Sequence, residues 1–172
     1  MKVFPSENLT LISQLSKVEI YDKINSITGK ERDFKTFSFG HNKQFEGIIS
    51  VDSFKITRIL PYRNSFLPII YGQIKTFNSG SKIMLDAKMG KFQLIFFAIW
   101  TILLGLLSLA SIFFIVMEFI NAESQIWTFI VPIMFLVGYG YMQISFSKET
   151  QKTKEILIQL LQAKEITKEN VA

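Results

Sequence analysis

The chain has 172 residues, 49% of them hydrophobic and 17 of them phenylalanine, with a formal charge of +5. It contains no cysteine, which excludes a disulfide framework, thiol catalysis and cysteine-ligated metal. No Asp, Glu, Lys or Arg occurs in the 26 residues from Phe92 to Met117, or in the 24 from Ser124 to Ser147. Each run exceeds the roughly 20 residues a helix needs to cross a bilayer, so the sequence predicts a membrane protein rather than a soluble globular one.

In chain order, Met1 to Thr10 lacks the basic, apolar and small-residue succession of a targeting signal. Residues 1–91 then read as a small β-rich domain. Leu9, Leu11, Ser13 and Leu15 alternate with Thr10, Ile12 and Gln14, as in a half-buried strand. Ser16 and Glu19 form a capping box that opens a helix with Ile20, Ile24 and Ile27 on one face and Gly29 as its expected stop. Alternation resumes in Phe37 and Phe39, in Phe45 to Val51, in Phe54 to Leu60, in Ile70 and Ile74, and in Ile83 to Met89. Polar turns at Gly40-His41-Asn42, Val51-Asp52-Ser53 and Asn78-Ser79-Gly80 separate these runs. The expectation is an antiparallel meander of about five strands plus one helix.

Residues 92–146 are predicted to form a transmembrane helical hairpin, with spans at about 92–117 and 126–146. Ala98, Thr101, Gly105 and Ser108 draw a seam of small residues along the first span, where a neighbouring helix fits. Pro132 is expected to kink the second span, and Trp127, Tyr139 and Tyr141 fall near its ends as interfacial aromatics do. Neither span holds an ionisable group, which argues against ion pathways and proton relays. Lys82, Lys88 and Lys91 precede the first span and Lys148, Lys152 and Lys154 follow the second, whereas the connection carries only Glu118 and Glu123. The positive-inside rule therefore puts both termini in the cytoplasm of a multi-pass inner-membrane protein. Residues 147–172 read as a charged, amphipathic helical tail, with Ile156, Leu160 and Ala163 in one stripe and Leu157 and Leu161 beside them. A solvated continuation of the second span is the favoured reading; packing back on the β-domain, or on the tail of a second copy, is the other.

Catalytic signals are lacking. The single histidine, His41, has no partner for a zinc site, and no nucleophile elbow is present. Gly138-x-Gly140 lies inside an apolar run and cannot be a dinucleotide loop. A non-enzymatic protein without cofactor or metal is expected. The densest local signal is Arg58-Ile59-Leu60-Pro61-Tyr62-Arg63-Asn64-Ser65-Phe66-Leu67-Pro68. Arg58 shares the parity of Phe54, Ile56 and Leu60, so on an apolar face it must find a carboxylate, a carbonyl cluster or an anionic ligand. Two readings stand: a rigid connection that satisfies its own polar groups, or an anion or lipid-headgroup pocket made by Arg58, Arg63 and Asn64. Residues 1–91 carry 14 Lys and Arg against 8 Asp and Glu. Beside a bilayer such a surplus meets anionic lipid first, and no basic helix or stacking motif points to nucleic acid.

The strings Phe45-x-Gly47-x-Ile49, Phe54-Lys55-Ile56-x-Arg58 and Tyr62-Arg63-Asn64-Ser65-Phe66-Leu67-Pro68-x-Ile70-x-Gly72 resemble a group of small uncharacterised bacterial membrane proteins. In that group the same string precedes two apolar spans and a charged tail ending in leucines. The resemblance covers most of the chain from about Ser16 and implies a bacterial inner-membrane protein with its cytosolic domain ahead of its spans. It implies no activity. Two functions are compatible with the sequence: an anchored module that binds a partner or anionic headgroup, and an effector whose hairpins oligomerise through the first span and perturb the membrane.

Overall fold

A computed structural model describes residues 4–30, 43–61, 64–78, 80–120 and 129–166, with side chains 118–120 outside the description. The chain forms two compact units. One joins Met1–Gly90 to Phe146–Ala172; the other is Lys91–Ser145.

The first unit is a seven-stranded mixed sheet. Its strands are β1 (Ser6–Ser13), β2 (Thr28–Lys30), β3 (Phe45–Ile49), β4 (Ser53–Arg58), β5 (Ile69–Phe77), β6 (Gly80–Lys88) and β7 (Lys164–Glu165). They lie in the order β2-β3-β4-β5-β6-β1-β7. Among the described residues β2–β3 pair in parallel and the other pairs are antiparallel. Of the antiparallel meander of about five strands expected from the sequence, β3 to β6 form four, within a larger mixed sheet; Phe37, Phe39 and the Gly40-His41-Asn42 turn lie outside the described residues. Asn78 makes the tight reversal from β5 to β6 possible by adopting a left-handed backbone (φ 49°), which asparagine tolerates better than most residues.

Helix α1 (Lys17–Ile27) begins as the sequence predicts. Ser16 accepts the Glu19 amide at 3.3 Å, and the Glu19 carboxylate accepts the Ser16 amide at 2.8 Å. Its end differs from expectation. Thr28, not Gly29, stops the helix in an extended conformation, and Gly29 lies within β2. The β-branched Thr28 suits the strand that follows directly, so no left-handed cap is needed.

Period-two alternation gives the sheet one apolar face, with Leu11, Phe45, Phe54, Ile56, Ile70, Ile74, Ile83, Leu85 and Ala87 all buried. Two helices cover that face. Ile20 and Ile24 of α1 are fully buried over it. Gly72 is directly opposite Phe54, whose ring occupies the space a Cβ on Gly72 would need. The second cover is the C-terminal half of α3 (Ile130–Leu161). Its inward residues are Phe146, Glu149, Thr150, Thr153, Leu157 and Leu161, at a spacing of three and four. Leu9, Ile70, Leu85 and Ala87 meet Thr150, Thr153 and Leu157 around a void of only about 10 Å³.

This corrects the favoured view of the tail as a solvated helix. The stripe of Ile156 and Leu160 is only half-buried, while Leu157 and Leu161 beside it are completely covered. The helix ends in a Schellman turn: Gln162 adopts φ 47°, and the amides of Ala163 and Gln162 donate to the carbonyls of Ile158 and Gln159. The Ser13 hydroxyl donates to the Leu161 carbonyl at 2.6 Å, satisfying one of the acceptors a helix end leaves over. The turn delivers Lys164–Glu165 to the free edge of β1 as β7, a strand the sequence reading did not anticipate.

The second unit contains α2 (Lys91–Ile120) and the N-terminal half of α3. Both helices are long and apolar enough to cross a membrane. Their pairing is antiparallel, with Gly105 facing Phe135 and Gly138 lying under the Trp100 ring. Pro132 sits in the first turn of α3, where its missing N–H removes no helical hydrogen bond, so the kink expected there has no cause. Trp127 lies outside the described residues.

Candidate functional site

Arg58 ends β4 on the covered face, directly opposite the buried Phe45. Its position follows from strand alternation. Its partner does not, because the Nη1 group donates to Oε2 of Glu149, 91 residues later in the chain, at 2.8 Å. The two side chains are only 17% and 7% exposed. Lys152 approaches the other Glu149 oxygen at 3.6 Å from one helical turn along. The carboxylate required by an arginine on an apolar face is thus supplied from α3. Such a pair adds little net stability over apolar packing, but removing one partner leaves a charge buried and uncompensated.

Asn64 is half-buried, and its Oδ1 accepts the Phe66 amide at 2.9 Å, an Asx turn that rigidifies the connection before the buried Pro68. Arg63 and Tyr62 lie outside the described residues. Of the expected anion pocket, therefore, Arg58 is engaged by Glu149 and Asn64 by its own loop, and the two are not seen to converge on a common cavity. The sequence reading missed Glu149; the signal available was an acidic residue directly after the second apolar run, with a buried arginine awaiting a carboxylate.

The small-residue seam lies on the inner side of α2. Ala98, Thr101 and Gly105 are half-buried and Ser108 is buried. The Ser108 hydroxyl donates to the Leu104 carbonyl at 2.6 Å, and Gly105 faces Phe135 of α3. The seam is used within the chain, to seat one helix of the hairpin against the other.

Elsewhere, an open cleft of about 360 Å³ is lined by Lys17, Asp52, Ser53, Gln73, Ile74 and Lys75. Lys17 and Asp52 form an ion pair across it at 2.7 Å. Hydrogen bonds from the Ser16 amide and hydroxyl hold the Glu19 carboxyl below the usual carboxylate range, and Asp86 beside Lys88 raises the ammonium above its ordinary value. Among the described residues, no group of three or more His, Asp or Glu side chains gathers as a metal site would require.

The face of the sheet turned away from the helices carries a different chemistry. Ile48 and Tyr71 are 61% and 41% exposed there. Lys75 and Lys82 are directly cross-strand, and the same row continues through Ile12 to Lys164. Among the described residues no carboxylate pairs with Lys75, Lys82 or Lys164. Comparison of the chain with protein-family models, with curated proteins and with solved structures gives no match.

Proposed function

We propose that the chain is a non-enzymatic membrane-anchored module. Its two apolar helices fix a basic sheet domain at the cytoplasmic face of an inner membrane, where the domain binds a partner or an anionic headgroup. The observation that carries this reading is the exposure of the two helices. Their most apolar windows are only 6% and 11% buried, with Ile99, Ile102, Leu106, Leu109, Leu136 and Val137 each more than 60% exposed. A core helix of a soluble protein hides such side chains, and a soluble monomer rarely exposes apolar patches beyond a few hundred Å². A lipid environment removes the cost of that exposure. The lysines at both outer ends of the pair support a topology with both termini inside.

The alternative, an oligomerising effector or pore-former, needed the seam at Ala98, Thr101, Gly105 and Ser108 for contact between copies. That seam faces α3 of the same chain, so no observation favours the alternative.

Since the chain has no cysteine, single substitutions report topology without background. With Ser6→Cys, Ser124→Cys and Thr167→Cys, only Ser124→Cys is expected to react with an impermeant thiol reagent in intact cells. Labelling at position 6 or 167 would overturn the two-span, both-ends-inside topology.

A further inference from the structure

The uncovered face of the sheet is patterned. Ile48 on β3 and Tyr71 on β5 share one cross-strand row; Met84 on β6 lies one row along, and Ile12 on β1 one row further. Tyr71, Met84 and Ile12 form a diagonal across β5, β6 and β1, and Lys55 of β4 separates Ile48 from Tyr71. Beside the diagonal runs the row Lys75, Lys82, Ile12 and Lys164, spread over β5, β6, β1 and β7. Like charges placed directly opposite one another oppose strand pairing, yet Lys75 and Lys82 occupy such a pair with no carboxylate from the described residues to relieve them. Across the whole face Lys55, Lys75, Lys82, Lys88 and Lys164 outnumber Glu46 and Asp86, and Lys88 already engages Asp86.

We propose that this face docks an acidic amphipathic helix of a partner protein. Neighbouring strands are about 4.8 Å apart and successive helical turns about 5.4 Å, so a helix lying across the strands presents roughly one turn to each. Carboxylates on its first, second and fourth turns would meet Lys75, Lys82 and Lys164, and an apolar residue on the third would meet Ile12. Its apolar stripe would continue onto Met84, one row away on β6. A second copy of this chain is a poor occupant, because face-to-face association sets lysine row against lysine row. A polyphosphate, a single-stranded RNA or an anionic bilayer would use the lysines and leave the diagonal unused, and Tyr71 alone makes no stacking platform. The inference does not rest on the membrane reading.

The test uses the full chain in detergent micelles and a fluorescent synthetic helix with Glu and Leu on one face. A peptide of the same composition in scrambled order, inorganic polyphosphate and poly-U RNA serve as competitors. The patterned peptide is expected to bind about tenfold more tightly than the scrambled one, and charge reversal by Lys75→Glu to remove most of that preference. The same substitution creates an opposite-charge pair with Lys82, so the sheet should melt at an equal or higher temperature, which separates lost binding from lost folding. Met84→Ser should weaken the patterned peptide and leave polyphosphate unaffected, and Lys23→Glu on α1 should change neither. Equal binding of the two peptides, binding that survives Lys75→Glu, or stronger binding of polyphosphate or RNA would each overturn the proposal.

Discussion

The two units of this chain use apolar residues in opposite ways. In the sheet unit, β6 hides Ile83, Leu85 and Ala87 behind two helices, and its alternate residues face outward. In α2, Ile95, Ile99, Ile102, Leu106 and Leu109 are all at least 60% exposed. The first pattern carries its own solvent-excluding partner; the second is left to its surroundings. Hydrophobic content alone would not separate them, whereas its distribution around a strand or a helix does. The sheet unit should therefore behave as a folding unit in water, and the hairpin should not.

The strongest test of that contrast removes the hairpin. Residues 1–90 alone lack the α3 cover and β7, and should aggregate or show no cooperative melt. The same residues joined through a flexible linker to 146–172 should be soluble and melt cooperatively. If 1–90 melts cooperatively unaided, the C-terminal cover is dispensable and the contrast fails.

Single truncations sharpen the comparison. Leu161→Ala, in the covered helix, should cost the sheet unit about 2–5 kcal/mol. Leu106→Ala, on an outer face of α2, should leave the sheet unit's denaturant midpoint unchanged. Similar effects at both positions would mean that the hairpin and the sheet share one core.

Glu149→Leu should cost about 3 kcal/mol by stranding the Arg58 guanidinium, discounted from the upper range because Arg58 keeps some solvent contact. Adding Arg58→Leu should recover most of the loss. If the double variant is as unstable as the single one, the pair has a worth beyond charge compensation. Both are read from urea midpoints.

Ser16→Ala gives the smallest change, about 1 kcal/mol for a lost cap. Its partner adds a pH dependence. The folded Glu19 carboxyl is held below its unfolded value, so its contribution is present above the unfolded pKa and is lost as pH falls through the folded one. Wild-type stability should decline in that acid window more than that of Glu19→Gln.

Much of this was legible in the sequence because its causes are local. The capping box, the alternation of β6 and the charge-free run of α2 are set by neighbouring residues, and each is where the spacing puts it. What the sequence did not disclose depends on distant or unusual partners. Arg58 announced the need for a carboxylate, but nothing in its strand identified Glu149, and the anion pocket was the competing solution. The fate of the tail turned on Leu157 and Leu161 rather than on Ile156 and Leu160, a rotation that helical spacing alone leaves open. The stop after Leu161 uses a left-handed Gln162 where glycine would have signalled it. Without that stop, β7 had no visible beginning.

The division of the sheet unit around the hairpin also fixes an order of events at the ribosome. Residues that complete the unit, among them Glu149, Leu157 and Leu161, are synthesised after both apolar runs. Until they emerge, the early strands hold an unfinished apolar face and an arginine without its carboxylate. The sheet strands, although made first, must wait for residues from Phe146 onward before their unit is complete. A chain released after the second apolar run would therefore expose the sheet's unfinished apolar face and the uncompensated Arg58.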